Sequence, residues 1–387
     1  MPKSKAINIP FGRPWITEKD REAVLRVLDG PILTHGPVCH EFESAFAQYV
    51  QGGHAVTVSS CTAGLHLYYM HIGVGPGDEV IMPGISHVAT AHALEITGAK
   101  PVFVDCDANS GNISPDLIEK AVTSSTRAIS VVHFLGIPAD MDSIMNIADK
   151  YNLKVLEDCA VGLGSKWGGE NVGLFGDGAA FSFYPAKHIT SAEGGMFLSK
   201  HSDTASAINK IRGFSYDKTL EERALPGIYD VDGLGLNYRM SELQAALGLS
   251  QLKRIDEILK IRERNFNVLK EGFKDIKNIR ILESSSSKAK QSYYLMGIVL
   301  EGKQKNKRNQ ILLELKKRGI GTGVHYPHPL PRLKYYRNKY GYKREQFSNS
   351  ETIADCSFDL PIGPHIDEKA LDYILTNMRK ILLDLCL

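Results

Sequence analysis

A chain of 387 residues, 43% hydrophobic and 23% charged, has the balance of a globular protein and enough length for two domains, or for one large domain with a smaller one appended. A formal net charge of +2 creates no field that would select nucleic acid or an anionic membrane surface as a partner. No run of about 18 apolar residues occurs, so no membrane-spanning helix is expected, and residues 1–10 lack the apolar core of a signal peptide, which makes the cytoplasm the expected location.

The first clear strand covers residues 55–58 and leads into a helix that begins near Thr62. Residues 79–82 form the next strand, followed by a helix near Ala89; runs at 101–104, 128–132 and 154–156 continue the series. Short apolar runs of this kind, separated by helical patterns, predict an α/β fold with a mostly parallel central sheet flanked by helices. Ligands in such sheets sit at the carboxyl ends of the strands. One helix is predicted over 241–258, where Leu243, Ala246, Leu249 and Leu252 recur every third residue. An exposed serine-rich loop at 284–287, a strand at 293–300, and helices at 307–318 and from 367 to about 383 follow. The simplest division is a large domain with an N-terminal arm, 1–254, and a smaller C-terminal α/β domain, 255–387. The six cysteines show no metal-type spacing and read as reduced thiols; no metal site is expected.

Three segments carry candidate chemistry. Lys187 lies between a short β-like run at 182–184 and the glycine pair Gly194-Gly195. Alone it reads first as a surface lysine. Its other use is as an amine that burial helps to deprotonate for Schiff-base chemistry, with the glycines letting backbone pass close to a bound ring. Asp158 follows the 154–156 strand, where a carboxylate is either a plain cap or a group that keeps a pyridine nitrogen protonated. An intervening hairpin would bring Asp158 and Lys187 together. Ser60-Cys61-Thr62 joins a strand to a helix, a natural phosphate seat, although ordinary N-capping by Ser60 or Thr62 explains the same residues.

Taken in order, these segments resemble the DegT group of fold-type I sugar aminotransferases, which use pyridoxal 5′-phosphate (PLP) to aminate keto sugars carried on nucleotides. The resemblance runs through nearly the whole chain. It includes Gly75-Pro76-Gly77-Asp78-Glu79, Pro101-Val102-Phe103-Val104-Asp105, Glu157-Asp158-Cys159-Ala160, Ser182-Phe183 to Lys187, Glu193-Gly194-Gly195-Met196 and Asn237-Tyr238-Arg239-Met240-Ser241. It implies that Lys187 holds PLP as a Schiff base and shuttles the proton, and that Asp158 pairs with the pyridine nitrogen. Ser60, Cys61, Thr62 and Ser182 would hold the phosphate, with His87 and Ala160 beside the ring. Asn237 would reach the phosphate in the partner subunit of a homodimer with shared active sites. His188, Glu193, His325 and Tyr326 are the implied substrate-side residues; for the last two, a C-terminal strand with a satisfied histidine is an equal account.

Two positions depart from the family pattern. Ser86-His87 stands where a threonine and a larger aromatic are usual, and Val161 replaces a histidine or glutamine near the cofactor's 3′-oxygen. Some relatives carry histidine in place of the lysine and dehydrate their substrates; this chain keeps Lys187. The resemblance therefore implies transamination from an amino acid, glutamate, to a 4-keto or 3-keto deoxysugar in amino-sugar biosynthesis. Keto-sugar dehydration and a non-catalytic PLP-binding regulatory role are the alternatives.

Overall fold

A computed structural model describes residues 8–218, 222–225 and 227–384. Seven strands make the central sheet: β1 (His54–Val58), β2 (Glu79–Pro83), β3 (Lys100–Val104), β4 (Thr126–Val132), β5 (Lys154–Asp158), β6 (Gly178–Ser182) and β7 (Gly195–Ser199). Their order is β1-β7-β6-β5-β4-β2-β3. Neighbours from β6 to β3 run parallel, and β7 is antiparallel to both β6 and β1. The near-continuous apolar runs follow from burial on both faces. Val80 and Met82 enter one core cluster while Ile81 enters another, and Leu156 and Val155 divide in the same way. That alternation is the two-residue period of a strand.

Helix Cys61–His71 covers one face of the sheet and is buried along most of its length, so its sequence is apolar almost all round. Pro115–Ala121 and Met141–Tyr151 send Ile118, Met141 and Ile144 into the cluster on the other face.

The predicted helix over 241–258 is two helices, Glu242–Leu252 and Ile255–Phe273. Arg254 leaves the helical conformation (φ −116°, ψ 10°), and its guanidinium is drawn to Asp20, with contacts of 3.1 and 2.9 Å to the two carboxylate oxygens. Beyond this junction a three-stranded antiparallel sheet, β8 (Ile279–Ile281), β9 (Met296–Leu300) and β10 (Ser357–Leu360), packs with helices Ile255–Phe273, Arg308–Lys317 and Glu368–Asp384. Its core also takes in Ile85, Phe134, Leu135 and Val161, which lie past the carboxyl ends of β2, β4 and β5. The C-terminal unit therefore roofs the end of the large sheet. Ile9 pairs with Ile320, tying the start of the chain to that roof.

The strand predicted over 293–300 begins only at Met296. Ser292 is pinned to the large sheet's loops, its N–H donating to Gly136 O (2.9 Å) and its hydroxyl to Val161 O (2.7 Å). Tyr293 then turns at φ 54°, which frees Tyr294 from the strand. No described helix is long and apolar enough to cross a membrane.

Candidate active site

A cavity of about 410 Å³ opens beneath this roof, at the carboxyl ends of the strands. Asp158, the last residue of β5, lies on its wall and is 5% exposed. Oδ2 accepts the Thr90 hydroxyl at 2.7 Å; Oδ1 accepts the Ala160 N–H at 3.1 Å and lies 3.7 Å from the Cys61 sulfur.

Lys187 follows a turn in which its N–H donates to Tyr184 O (2.9 Å). Its Nζ stands 5.1 Å from the centre of the Tyr294 ring. Burial lowers its pKa, opposed by Cys61 and Asp158, so the amine sheds its proton more readily than a solvated lysine.

Ser60 caps helix Cys61–His71 by accepting the Ala63 N–H at 3.1 Å, and the first helical amides have no partner within the helix. Cys61 donates its thiol proton to Ala180 O at 3.3 Å; burial, reinforced by Asp158, raises its pKa well above the ordinary value and keeps it neutral. Ser60, Cys61, Thr62, Ser182, Ala160 and Val161 all line the cavity.

The glycine pair acts differently from the expectation. Neither residue faces the cavity. A Cβ on Gly195 would stand 2.5 Å from Ser60 C and 2.6 Å from Cys61 N, so its bareness lets β7 pack against the Ser60-Cys61 backbone. Gly194 has φ 154° and meets the Ser191 hydroxyl, at 2.2 Å from an added Cβ.

His87 lines the cavity as the cap of helix Val88–Glu95. Its Nδ1 accepts the Ala89 N–H at 3.2 Å, which leaves the ring proton on Nε2. Burial, then Lys187, lowers its pKa and favours that neutral form. Its ring meets Tyr326 edge to face at 5.7 Å. Glu193 and Tyr326 share the wall, as do Tyr184 and Tyr294.

Two expected residues lie off the cavity, and Asn237 was expected in a partner subunit's site. His188, expected on the substrate side, is buried behind the wall with Nε2 against Ser292 O at 2.9 Å, and burial depresses its pKa well below the usual range. Its bond to Ser292 O holds it off the cavity that Lys187 lines. His325 stands behind Tyr326, its Nδ1 2.8 Å from Asp359 Oδ2. Asn237 is exposed outside its own chain's cavity, with Oδ1 accepting from Arg239 Nε at 3.2 Å. The sequence reading missed Thr90, Tyr184 and Tyr294. Tyr184 sits inside the lysine segment and was open to notice there; Tyr294 was hidden by the strand-like pattern around it.

An amine, a buried carboxylate and a helix start on one cavity match the aldehyde, pyridine nitrogen and phosphate of PLP. Comparisons with known proteins agree. The profile of the DegT/DnrJ/EryC1/StrS aminotransferase family matches residues 14–379. The spore coat polysaccharide biosynthesis protein SpsC of Bacillus subtilis is 34% identical over 378 residues, covering 96% of this chain and 97% of that one. The UDP-4-amino-4-deoxy-L-arabinose–oxoglutarate aminotransferase of Shewanella sediminis is 32% identical over 383 residues, 96% of this chain and 98% of its own. Spr1654 of Streptococcus pneumoniae, solved in its pyridoxamine phosphate (PMP) form, superposes with a TM-score of 0.93 at 29% identity, covering 98% of this chain and 100% of that chain. Its PLP form gives a TM-score of 0.91. The chain belongs to the DegT/DnrJ/EryC1/StrS aminotransferase family and is a PLP-dependent aminotransferase.

Proposed function

We propose that this enzyme takes the amino group of L-glutamate and delivers it to the ketone of a nucleotide-linked 4-keto or 3-keto deoxysugar. The observation that carries the reading is the meeting of Lys187 and Asp158 on one cavity whose remaining wall holds His87, Tyr184, Glu193, Tyr294 and Tyr326. Such a wall offers hydrogen-bonding groups and ring faces to a hydroxylated sugar. Two relatives support the substrate class. SpsC is named for polysaccharide biosynthesis, and the Shewanella enzyme for an amino sugar on UDP with oxoglutarate, the keto acid that glutamate becomes on giving up its amine.

PLP, when bound, supplies the electron sink for the carbon that loses its proton. Asp158 holds the proton on the ring nitrogen. The Lys187 amine would hold the cofactor and, as the free amine, would serve as the base and acid that moves the substrate's proton. The Tyr294 ring beside Nζ favours the ammonium formed in between. Ser60, Thr62, Ser182 and the first amides of helix Cys61–His71 hold the phosphate.

Asn237 is proposed to complete the phosphate seat of the partner subunit in a homodimer. Its exposure supports this, as does the apolar surface on the segment leading to it, where Leu225, Ile228, Val231 and Leu234 are all more than half exposed. The test is to load the enzyme with PMP, offer nucleotide-linked keto sugars and follow the cofactor's visible absorbance. Return of the PLP band with one sugar, together with glutamate-dependent release of oxoglutarate, is the expected result. No response to any keto sugar would sink the reading, and water loss without amino-sugar formation would assign the dehydratase alternative.

A further inference from the structure

Asp158 is the end of a chain of hydroxyls. Thr90 lies in helix Val88–Glu95 and Ser86 one turn earlier, and both are buried. Thr90 Oγ1 is 2.7 Å from Asp158 Oδ2, and Ser86 Oγ is 2.8 Å from Thr90 Oγ1. Counting donors sets the direction. An ionised carboxylate only accepts, so the one proton of Thr90 goes to Asp158, and the Thr90 oxygen accepts from Ser86. The opposite carboxylate oxygen is held by the Ala160 N–H at 3.1 Å, with the Cys61 sulfur 3.7 Å away.

We propose that Thr90 is a positioning residue for the cofactor's ring nitrogen, acting through Asp158, and that Ser86 orients the Thr90 hydroxyl for that task. A short bond to a charged acceptor is strong, and a dry site strengthens each link of a hydrogen-bonded chain. The relay fixes the carboxylate's rotation and stabilises its negative charge, so that Asp158 serves as a partner of the ring proton and does not remove it. Lys187, His87, Cys61, Cys159, Tyr69 and Tyr326 also face Asp158. The thiols and phenols among them bring no positive charge, and burial favours the neutral forms of Lys187 and His87. The fixed dipole from Thr90 therefore weighs heavily.

This inference rests on the PLP cofactor and not on the identity of donor or sugar, and its test needs neither. Apoenzyme of Thr90→Val, Thr90→Ser and Ser86→Ala is reconstituted with PLP to obtain a dissociation constant, and the visible band of each holoenzyme is titrated with pH. Thr90→Val should weaken PLP binding about tenfold, the weight of one hydrogen bond to a charged group. It should also raise the midpoint of the band, because a ring nitrogen holding its proton less firmly draws less electron density from the group bonded to Lys187. Thr90→Ser should restore both values, and Ser86→Ala should move both in the Thr90→Val direction by less. Wild-type behaviour of Thr90→Val would overturn the proposal, and so would a Thr90→Ser protein as impaired as Thr90→Val, which would assign the effect to packing. Should Thr90→Val not fold, an unshifted Ser86→Ala would overturn it.

Discussion

Glu157 and Asp158 are neighbours on β5, both buried, yet they do different work. A strand sends successive side chains to opposite faces. Glu157 accepts backbone N–H groups from Gly173, Phe175 and Gly176 at 2.7–3.0 Å and is spent on holding that loop. Asp158 turns to the cavity. The motif in the sequence singles out the second carboxylate, but only the pleat explains why the first is unavailable. Lys187 has no such twin. Lys187→Ala should lower turnover at least a hundredfold, the low end for loss of a positioned acid–base group, and abolish the visible band of the lysine-bound cofactor. Full turnover with an unchanged spectrum would refute its role. His188, its neighbour in sequence, should behave as a packing residue: His188→Gln should lower thermal stability, measured by calorimetry, and leave the spectrum intact.

Where β7 crosses the start of helix Cys61–His71, Gly195 is paired with Val58 on one side and Ser182 on the other. The atoms a Cβ would strike are backbone: Ser60 C, Cys61 N and Phe181 O. Backbone does not rotate aside, so Gly195→Ala should cost about 2 kcal/mol in denaturant unfolding and loosen PLP binding as the phosphate turn is displaced. Elsewhere, Asp20 anchors helix Glu18–Leu28 to the junction at Arg254. Burial works against its charge, but hydrogen bonds from Arg254, Ser250 and the Thr17 N–H outweigh it and bring the pKa to about 2. A carboxyl depressed in the folded state stabilises the fold above its unfolded pKa of about 4, and that contribution is lost as pH falls through about 2. Asp20→Asn should therefore be less stable than wild type at neutral pH by about 1–3 kcal/mol, a gap that narrows between about pH 4 and 2. Equal stability at pH 7 in urea unfolding would show that the anchor does nothing. This contact also explains the broken helix: the three-residue spacing runs on to residue 258, and nothing local announces a partner more than 200 positions away.

The roof of the cavity comes from a unit remote in sequence, and the phosphate seat is proposed to draw on a second copy of the chain. Mixing two inactive proteins tests that sharing. Asn237→Ala and Lys187→Ala, refolded together, should regain activity that neither shows alone, because mixed dimers hold one site with both intact residues. No recovery from mixtures shown by mass to contain mixed dimers would remove Asn237 from the partner's site. Much of the fold and the chemistry could be read along the chain. Five of the seven central-sheet strands appeared as apolar runs, since burial on both faces leaves a pattern in any single strand. Lys187, Asp158 and the Ser60–Thr62 turn appeared as motifs, since each belongs to a short local segment. Strands β6 and β7 escaped: the β-like run was placed at 182–184, past most of Gly178–Ser182, and Gly195–Ser199 was read only as a glycine pair. Folding alone decided that Thr90 would support Asp158, that Tyr294 would leave its strand to stand beside Lys187, and that His188 would face away. Those outcomes depend on which distant atoms arrive at each side chain, and such contacts leave no spacing in the sequence.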